Sequence, residues 1–344
     1  MKQERAVRID KRNIFICGWL TLLFVLGTAG CGTSNANSTD ASTSAKSTGP
    51  TDYPYAIVTT CGMVTDIVEQ VAGDKAQVSG LMGEGVDPHL YKPTRNDVKR
   101  MTDADVVMYS GLLLEGRIAD TFAKIARTKP VYAVTEGLDE SYLVEPPEFG
   151  GHVDPHVWMD VSAWSKCVDF IATTLAQYDS ANAAYYRTNS EEYRAELKKL
   201  DDYARQTIST IPEAQRVLIT AHDAFGYFSK AYKIPVRSVQ GISTESEAGV
   251  DDINQLVDFI VKNKVSAIFV ETSVSQKNIT AIIEGAKKRS WPVKIGGQLY
   301  SDAMGPAETY EGTYIGMIDH NVTVIARALG GQAPATGLNG KLKL

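Results

Sequence analysis

The sequence predicts an α/β protein of two lobes with mainly parallel sheets, joined by one long α-helix. Three observations predict it. From Tyr53 onward, short β-branched runs alternate with amphipathic stretches, and the same alternation starts afresh at Arg216. Between the two sets lies NSEEYRAELKKLDDYARQTISTIP, which carries a single apolar stripe. Parallel strands need a crossover element between them, so strand–helix alternation implies sheets covered on both faces.

Strands are predicted at 55–60, 76–81, 105–109 and 130–133, interleaved with helices at 63–72, 94–101, 115–127 and 162–177. The second set has strands at 216–220, 235–239, 266–270 and 293–296, with helices at 223–232, 250–263, 276–289 and 310–329. In the connecting stretch Tyr193, Leu197, Leu200, Ala204, Ile208 and Ile211 recur every three or four residues, and Pro212 marks the stop. Thr188 with Glu191 fits a capping box, with an earlier start near Ser180 as the alternative. A helix over 189–211 would run more than about 30 Å at 1.5 Å per residue, a strut permitting less opening than flexible strands. The expected division is therefore a first α/β domain at 52–187, a linking helix at 188–212 and a second α/β domain at 213–344.

Residues 1–30 stand apart from this fold. Five basic side chains precede an uncharged run over 14–29, long enough for a secretory signal but short for a membrane span. The run ends in Thr28-Ala29-Gly30-Cys31, which resembles the bacterial lipobox at which a signal peptidase cuts and the cysteine is diacylated; Thr28 stands where leucine is usual. Cys31 is thus the expected lipid-attachment site, placing the protein at the outer face of the plasma membrane or in the periplasm. Residues 32–50 are mostly Ser, Thr, Ala, Asn and Gly and bury too little surface to order themselves, so 31–51 reads as a tether. Such a tether would hold the folded body roughly 25 Å from the lipid.

Residues 1–30 hold five basic and two acidic side chains, so their removal takes the formal charge from -6 to -9. That balance disfavours nucleic acid as a partner and favours a cation. Once Cys17 leaves with the signal and Cys31 is acylated, only Cys61 and Cys167 remain, either as a pair or as two buried thiols.

The string Val-Asp-Pro-His occurs twice, at 86–89 and 153–156, and each copy ends in one of only five histidines. His89 follows a strand through Gly83, Gly85 and Pro88, where open α/β sheets place ligands. His156 precedes a helix, and in both copies the proline stiffens the loop that presents the imidazole. Stiffening suits metal ligation, which needs donors in place before the ion arrives. Asp87 and Asp154 either cap these loops or orient a neighbouring group. His222, in RVLITAHDAFGYF, occupies the matching strand exit of the second set. Three imidazoles at strand exits of opposing lobes suit a ligand site in the cleft between them, and neutral imidazole is the commonest protein metal donor. His152 lies in a glycine-flanked loop and His320 in the last helix, neither in the expected set. A fourth donor could come from Asp223, Glu245, Glu271 or Asp302, of which Glu271 and Asp302 are best placed.

The two VDPH segments, ITAHDAFGYF, QGISTESE and GGQLYSDAMG, in that order around a long helix, resemble the TroA-like (cluster A-I) substrate-binding lipoproteins of zinc and manganese ATP-binding-cassette importers. The resemblance covers residues 53–330. It implies that His89, His156, His222 and Asp302 are the four metal ligands, two from each lobe, so that the VDPH repeats supply the first lobe's donors. It also implies a permease and its ATPase as partners, one ion per chain and a monomeric carrier.

Three imidazoles and one carboxylate complete a tetrahedral set for Zn²⁺, and a bidentate carboxylate makes five donors for Mn²⁺ or Fe²⁺. The set contains no thiolate, which argues against copper(I). Within the resembling family, Glu in place of His222 goes with manganese or iron. Dedicated zinc carriers often have a His-rich acidic loop that this chain lacks. The competing expectations are a surface metallohydrolase, which would need an open coordination position and a base, and an adhesin as a secondary role. Neither HExxH nor GxSxG occurs in the chain.

Overall fold

The structure, a computed structural model, describes residues 49–344. The predicted signal peptide, Cys31 and nearly all of the tether lie outside the described residues.

The first half follows the predicted alternation: β1 (Tyr55–Thr59), α1 (Gly62–Ala72), β2 (Ala76–Gly80), α2 (Arg95–Asp103), β3 (Val106–Tyr109), α3 (Ala119–Ile125), β4 (Val131–Ala133) and α4 (Val161–Tyr178). Its strands form one parallel sheet in the order β2-β1-β3-β4. The start of α2 is set by Thr94, whose hydroxyl accepts from the Asp97 N–H while the Asp97 carboxylate accepts from the Thr94 N–H. The helix expected over 115–127 is shorter, because Glu115 belongs to the preceding loop. Its buried carboxylate accepts from Thr60 Oγ1 and from the N–H groups of Ser110 and Gly111, so a 3-10 turn at Gly116–Ile118 intervenes before α3.

The linking helix α5 (Ala183–Ser209) has 27 residues, about 40 Å of rise. It opens five residues before the expected boundary, after a 3-10 turn at Ser180–Asn182, so Thr188 lies inside the helix and caps nothing. The predicted stripe Tyr193, Leu197, Leu200, Ala204 and Ile208 is buried, extended backward by Tyr186.

The second half contains β5 (Leu218–His222), α6 (Gly226–Tyr232), β6 (Val236–Gln240), α7 (Val250–Lys262), β7 (Ala267–Glu271), α8 (Lys277–Lys288), β8 (Lys294–Leu299) and α9 (Tyr314–Ala328). β5 pairs with β6 and β7 with β8, both parallel, and β5 lies alongside β7. The strand expected at 216–220 is displaced by two residues, since the ladder with β6 continues through His222, which pairs with Gln240.

One hydrophobic core runs from the first sheet across α4 and α5 to α6 and α9, and a smaller one fills the second half between residues 219 and 293. At the junction Asp66 of α1 is buried and accepts from Tyr193 Oη of α5 at 2.6 Å and from the Tyr314 N–H at the start of α9 at 3.2 Å. A buried carboxylate with two donors is a fixed pin, so it ties the first half, the strut and the second half together. Cys61 and Cys167 are separate, buried, free thiols. Burial pushes the Cys61 thiol up to about 12, leaving it in the unreactive protonated form.

Candidate metal centre

Two local devices deliver the three predicted histidines, an aspartate two residues earlier for His89 and His156 and a strand end for His222. The 83–93 loop turns at Gly85, whose φ of +67° is accessible to glycine without strain. Asp87 Oδ1 then accepts the His89 N–H at 2.9 Å, fixing the Asx turn that projects the ring. In the second VDPH copy Asp154 does two jobs: Oδ1 accepts the His156 N–H at 2.9 Å and lies 2.7 Å from His156 Nδ1. A Cβ on Gly226 would stand 2.6 Å from Asp154 Oδ2, so any larger residue there would have to displace this carboxylate. His222 ends β5, and its Nδ1 meets the carboxylate of Glu271, the last residue of the adjacent β7. That carboxylate also accepts the N–H groups of Ala221 and His222, at 2.7 and 3.0 Å. With Nδ1 of His156 and His222 each committed to a carboxylate, Nε2 of both rings is the free donor.

Asp302 arrives on the loop after β8. Buried Asn321 of α9 clamps that loop through the Tyr300 backbone, accepting from its N–H at 2.9 Å and donating to its carbonyl at 2.6 Å.

The four side chains converge. His89 Nε2 lies 3.3 Å from His156 Nε2, His156 Nε2 lies 3.3 Å from Asp302 Oδ1, and His222 Nε2 lies 3.1 Å from Asp302 Oδ2. The donor atoms all fall within 4.8 Å of one another. Ligands at about 2.0–2.1 Å from a tetrahedral ion are about 3.3–3.4 Å apart, so these edges match a coordination polyhedron. His89 is 5 % exposed, Asp302 1 %, and His156 and His222 not at all. Yet His222 Nε2 and both Asp302 oxygens have no partner in hydrogen-bond geometry. Buried polar atoms left without partners are costly, and a cation at their common focus would satisfy all of them.

The electrostatics follow from the same contacts. Burial is the main cause that brings His89 down to about 3, with the charges on His156 and His222 adding to the fall against the pull of Asp302. Burial would also lower His156, but Asp154 and Asp302 outweigh it and bring it up to about 9. His222 stands well above its ordinary value because Asp302 and Glu271 overcome its burial. Asp302 in turn is held well below the usual carboxylate range by His222 and His156, despite burial that would raise it. Without an ion, protons on His156 and His222 thus supply the positive charge.

Of the other candidates, Glu271 buttresses His222 and does not face the focus. Glu245 is exposed and accepts from Arg117 Nε at 2.8 Å. Asp223 is outside the convergent set. His152 is exposed, and His320 is taken up by the Gln298 carbonyl, 2.9 Å from its Nε2. Sequence reasoning missed Asn321, which lies in the last helix without a motif, and Trp158, whose only signal was its place two residues after a VDPH histidine.

The description of zinc-uptake complex component A, a periplasmic protein family, matches residues 57–328. The manganese-binding lipoprotein MntA of Bacillus subtilis is 43% identical over 300 residues, 87% of this chain and 94% of that protein. The zinc-binding protein TroA of Treponema pallidum is 42% identical over 79% of this chain and 88% of its own length. The solved structure of that periplasmic protein superimposes with a TM-score of 0.78, covering 80% of this chain and 99% of the other. A match spanning nearly all of the described fold, with identity above two-fifths to two relatives, establishes that the chain belongs to the zinc-uptake complex component A family.

Proposed function

We propose that this chain is the extracytoplasmic substrate-binding component of an ATP-binding-cassette importer, capturing one divalent ion, zinc or manganese, and handing it to a membrane permease powered by its ATPase. The ion is cargo, held by His89, His156, His222 and Asp302. Residues 52–187 and 213–344 act as two lobes about the linking helix, and Cys31 carries the lipid that keeps the protein beside its permease.

The observation that carries the reading is the convergence of four buried side chains at polyhedron-edge distances, with His222 Nε2 and both Asp302 oxygens lacking hydrogen-bond partners. Both oxygens of Asp302 are available, so the set serves zinc with four donors and manganese with five. The names of the relatives point the same two ways, one to manganese and one to zinc. A hydrolase would need an approach for substrate beside an open coordination position. A centre this buried suits carriage instead.

Elemental analysis of the purified mature protein, after chelation and reloading, tests the proposal. One tightly held equivalent of zinc or manganese is expected, with no hydrolysis of model esters or peptides. Two or more tight equivalents, or none, would sink the single-site reading.

A further inference from the structure

The segment QGISTESE, residues 240–247 between β6 and α7, supplies no donor to the centre, yet two of its side chains reach the first half of the chain. Its root is Gln240, opposite His222 in the β5–β6 ladder. The buried Gln240 amide donates to the carbonyls of Thr244 at 3.0 Å and Ser246 at 2.8 Å, curling the segment over its own root. That curl presents Thr244, only 7 % exposed, whose Oγ1 donates to Asp87 Oδ2 at 2.6 Å. The other oxygen of Asp87 accepts the backbone N–H of His89. One residue along, Glu245 takes the Arg117 guanidinium. Hydrogen bonds thus run from Gln240, the register partner of His222, through the 244–246 curl and Thr244 to Asp87 and on to His89, without passing through the ion.

We propose that residues 240–247 form a strap across the cleft, and that Thr244 is a positioning residue for ion retention, acting through Asp87 on the loop that bears His89. This rests on the four donors being the ion site. Between the two crossing contacts, shelter decides which matters. Arg117 and Glu245 have side chains 32% and 51% exposed, and an ion pair so wet adds little. The Thr244 hydroxyl is buried and meets a half-buried carboxylate, a more sheltered, charge-assisted bond of the stronger kind. Separating the halves breaks this bond along with the coordination. The strap therefore adds to the barrier for release and leaves the encounter of the ion with the open cleft untouched.

Thr244→Val keeps the β-branched shape and removes the donor, whereas Thr244→Ser keeps the hydroxyl. Zinc-loaded proteins would be mixed with excess fluorescent chelator to time release, and association would be timed separately. Thr244→Val should release zinc about tenfold faster, as loss of a bond to a charged acceptor implies. Its association rate should stay within about twofold, and Thr244→Ser should release as the wild type does. On an Asp87→Asn background the valine substitution should add less than it does alone, because the two residues act in series. Unchanged release from Thr244→Val, a Thr244→Ser protein as fast as Thr244→Val, or an effect confined to association would each overturn the strap. A wild type that takes up no zinc or manganese would overturn the site itself and the strap with it. A wild type that loads separates the two failures.

Discussion

The indole nitrogen of Trp158 donates to the carbonyl of Ser301 at 2.9 Å, joining the residue two places after His156 to the one immediately before Asp302. The indole also meets the His156 ring edge-on at 5.2 Å, and the Trp158 carbonyl accepts from Tyr314 Oη at 2.7 Å. All of this is buried, so one aromatic side chain links the two segments that carry two proposed ligands from opposite halves.

Trp158→Phe keeps a ring against His156 but strands the buried Ser301 carbonyl. It should cost about 1–3 kcal/mol of stability and weaken ion binding roughly tenfold by loosening Asp302. Thermal melts and competition against a calibrated chelator would measure both; unchanged affinity would show that Asn321 alone suffices to hold the Asp302 loop.

Ion binding should be opposed by protons well above the ordinary histidine range. His156, at about 9, and His222, higher than its ordinary value, both carry protons at neutral pH in the ion-free protein. A divalent ion displaces both, so about two protons should be released per ion, and affinity should fall by up to about a hundredfold per pH unit below pH 9. Calorimetry in buffers of different ionisation enthalpy would count them. A flat affinity from pH 9 to 7 would refute the assignment.

The ion-free fold should respond in the opposite sense. His156 binds its proton more tightly folded than unfolded, so its contribution is complete below about pH 6.5 and is lost as pH rises through about 9. His89, depressed to about 3, works in reverse: its contribution is lost as pH falls from about 6.5 toward 3. The melting temperature of the stripped protein should therefore decline on both sides of a maximum near neutrality. The alkaline decline should vanish when zinc is bound.

His222→Glu should shift preference toward manganese by offering a hard oxygen, but at reduced affinity for both ions, because the new carboxylate faces Glu271. Glu271→Gln alone should weaken both ions by roughly 10–100-fold, as loss of a carboxylate behind a metal-bound imidazole does. Combined, the two substitutions should recover manganese affinity over His222→Glu alone. His152→Glu, on an exposed loop, should leave selectivity as it is. Paired zinc and manganese titrations decide it, and an unimpaired His222→Ala would remove that imidazole from the site.

Cys31→Ala should leave the processed protein unattached to membranes with its ion affinity intact. Among the described residues no helix is long and apolar enough to cross a bilayer. Fractionation after demonstrated signal removal is the measurement, and a variant that still pellets with membranes would refute anchoring through Cys31.

By itself the sequence determined the alternation of strands and helices, the apolar stripe of α5 and the loops bearing His89 and His156. All of these are local: period two or 3.6, proline beside histidine, and apolar runs ending in polar residues. Boundaries slipped where a long-range bond overrode local preference, as when the buried contacts of Glu115 delayed α3 and pairing with Gln240 drew His222 into β5. Composition and spacing left Glu271 and Asp302 both open, the family resemblance pointed to Asp302, and only the tertiary structure gave the physical reason. Because β5 and β7 lie side by side, Glu271 meets the Nδ1 edge of His222. The loop after β8, one strand further out, brings Asp302 to the Nε2 edge. Which edge of an imidazole a carboxylate meets depends on strand order, and spacing along a chain carries no record of that.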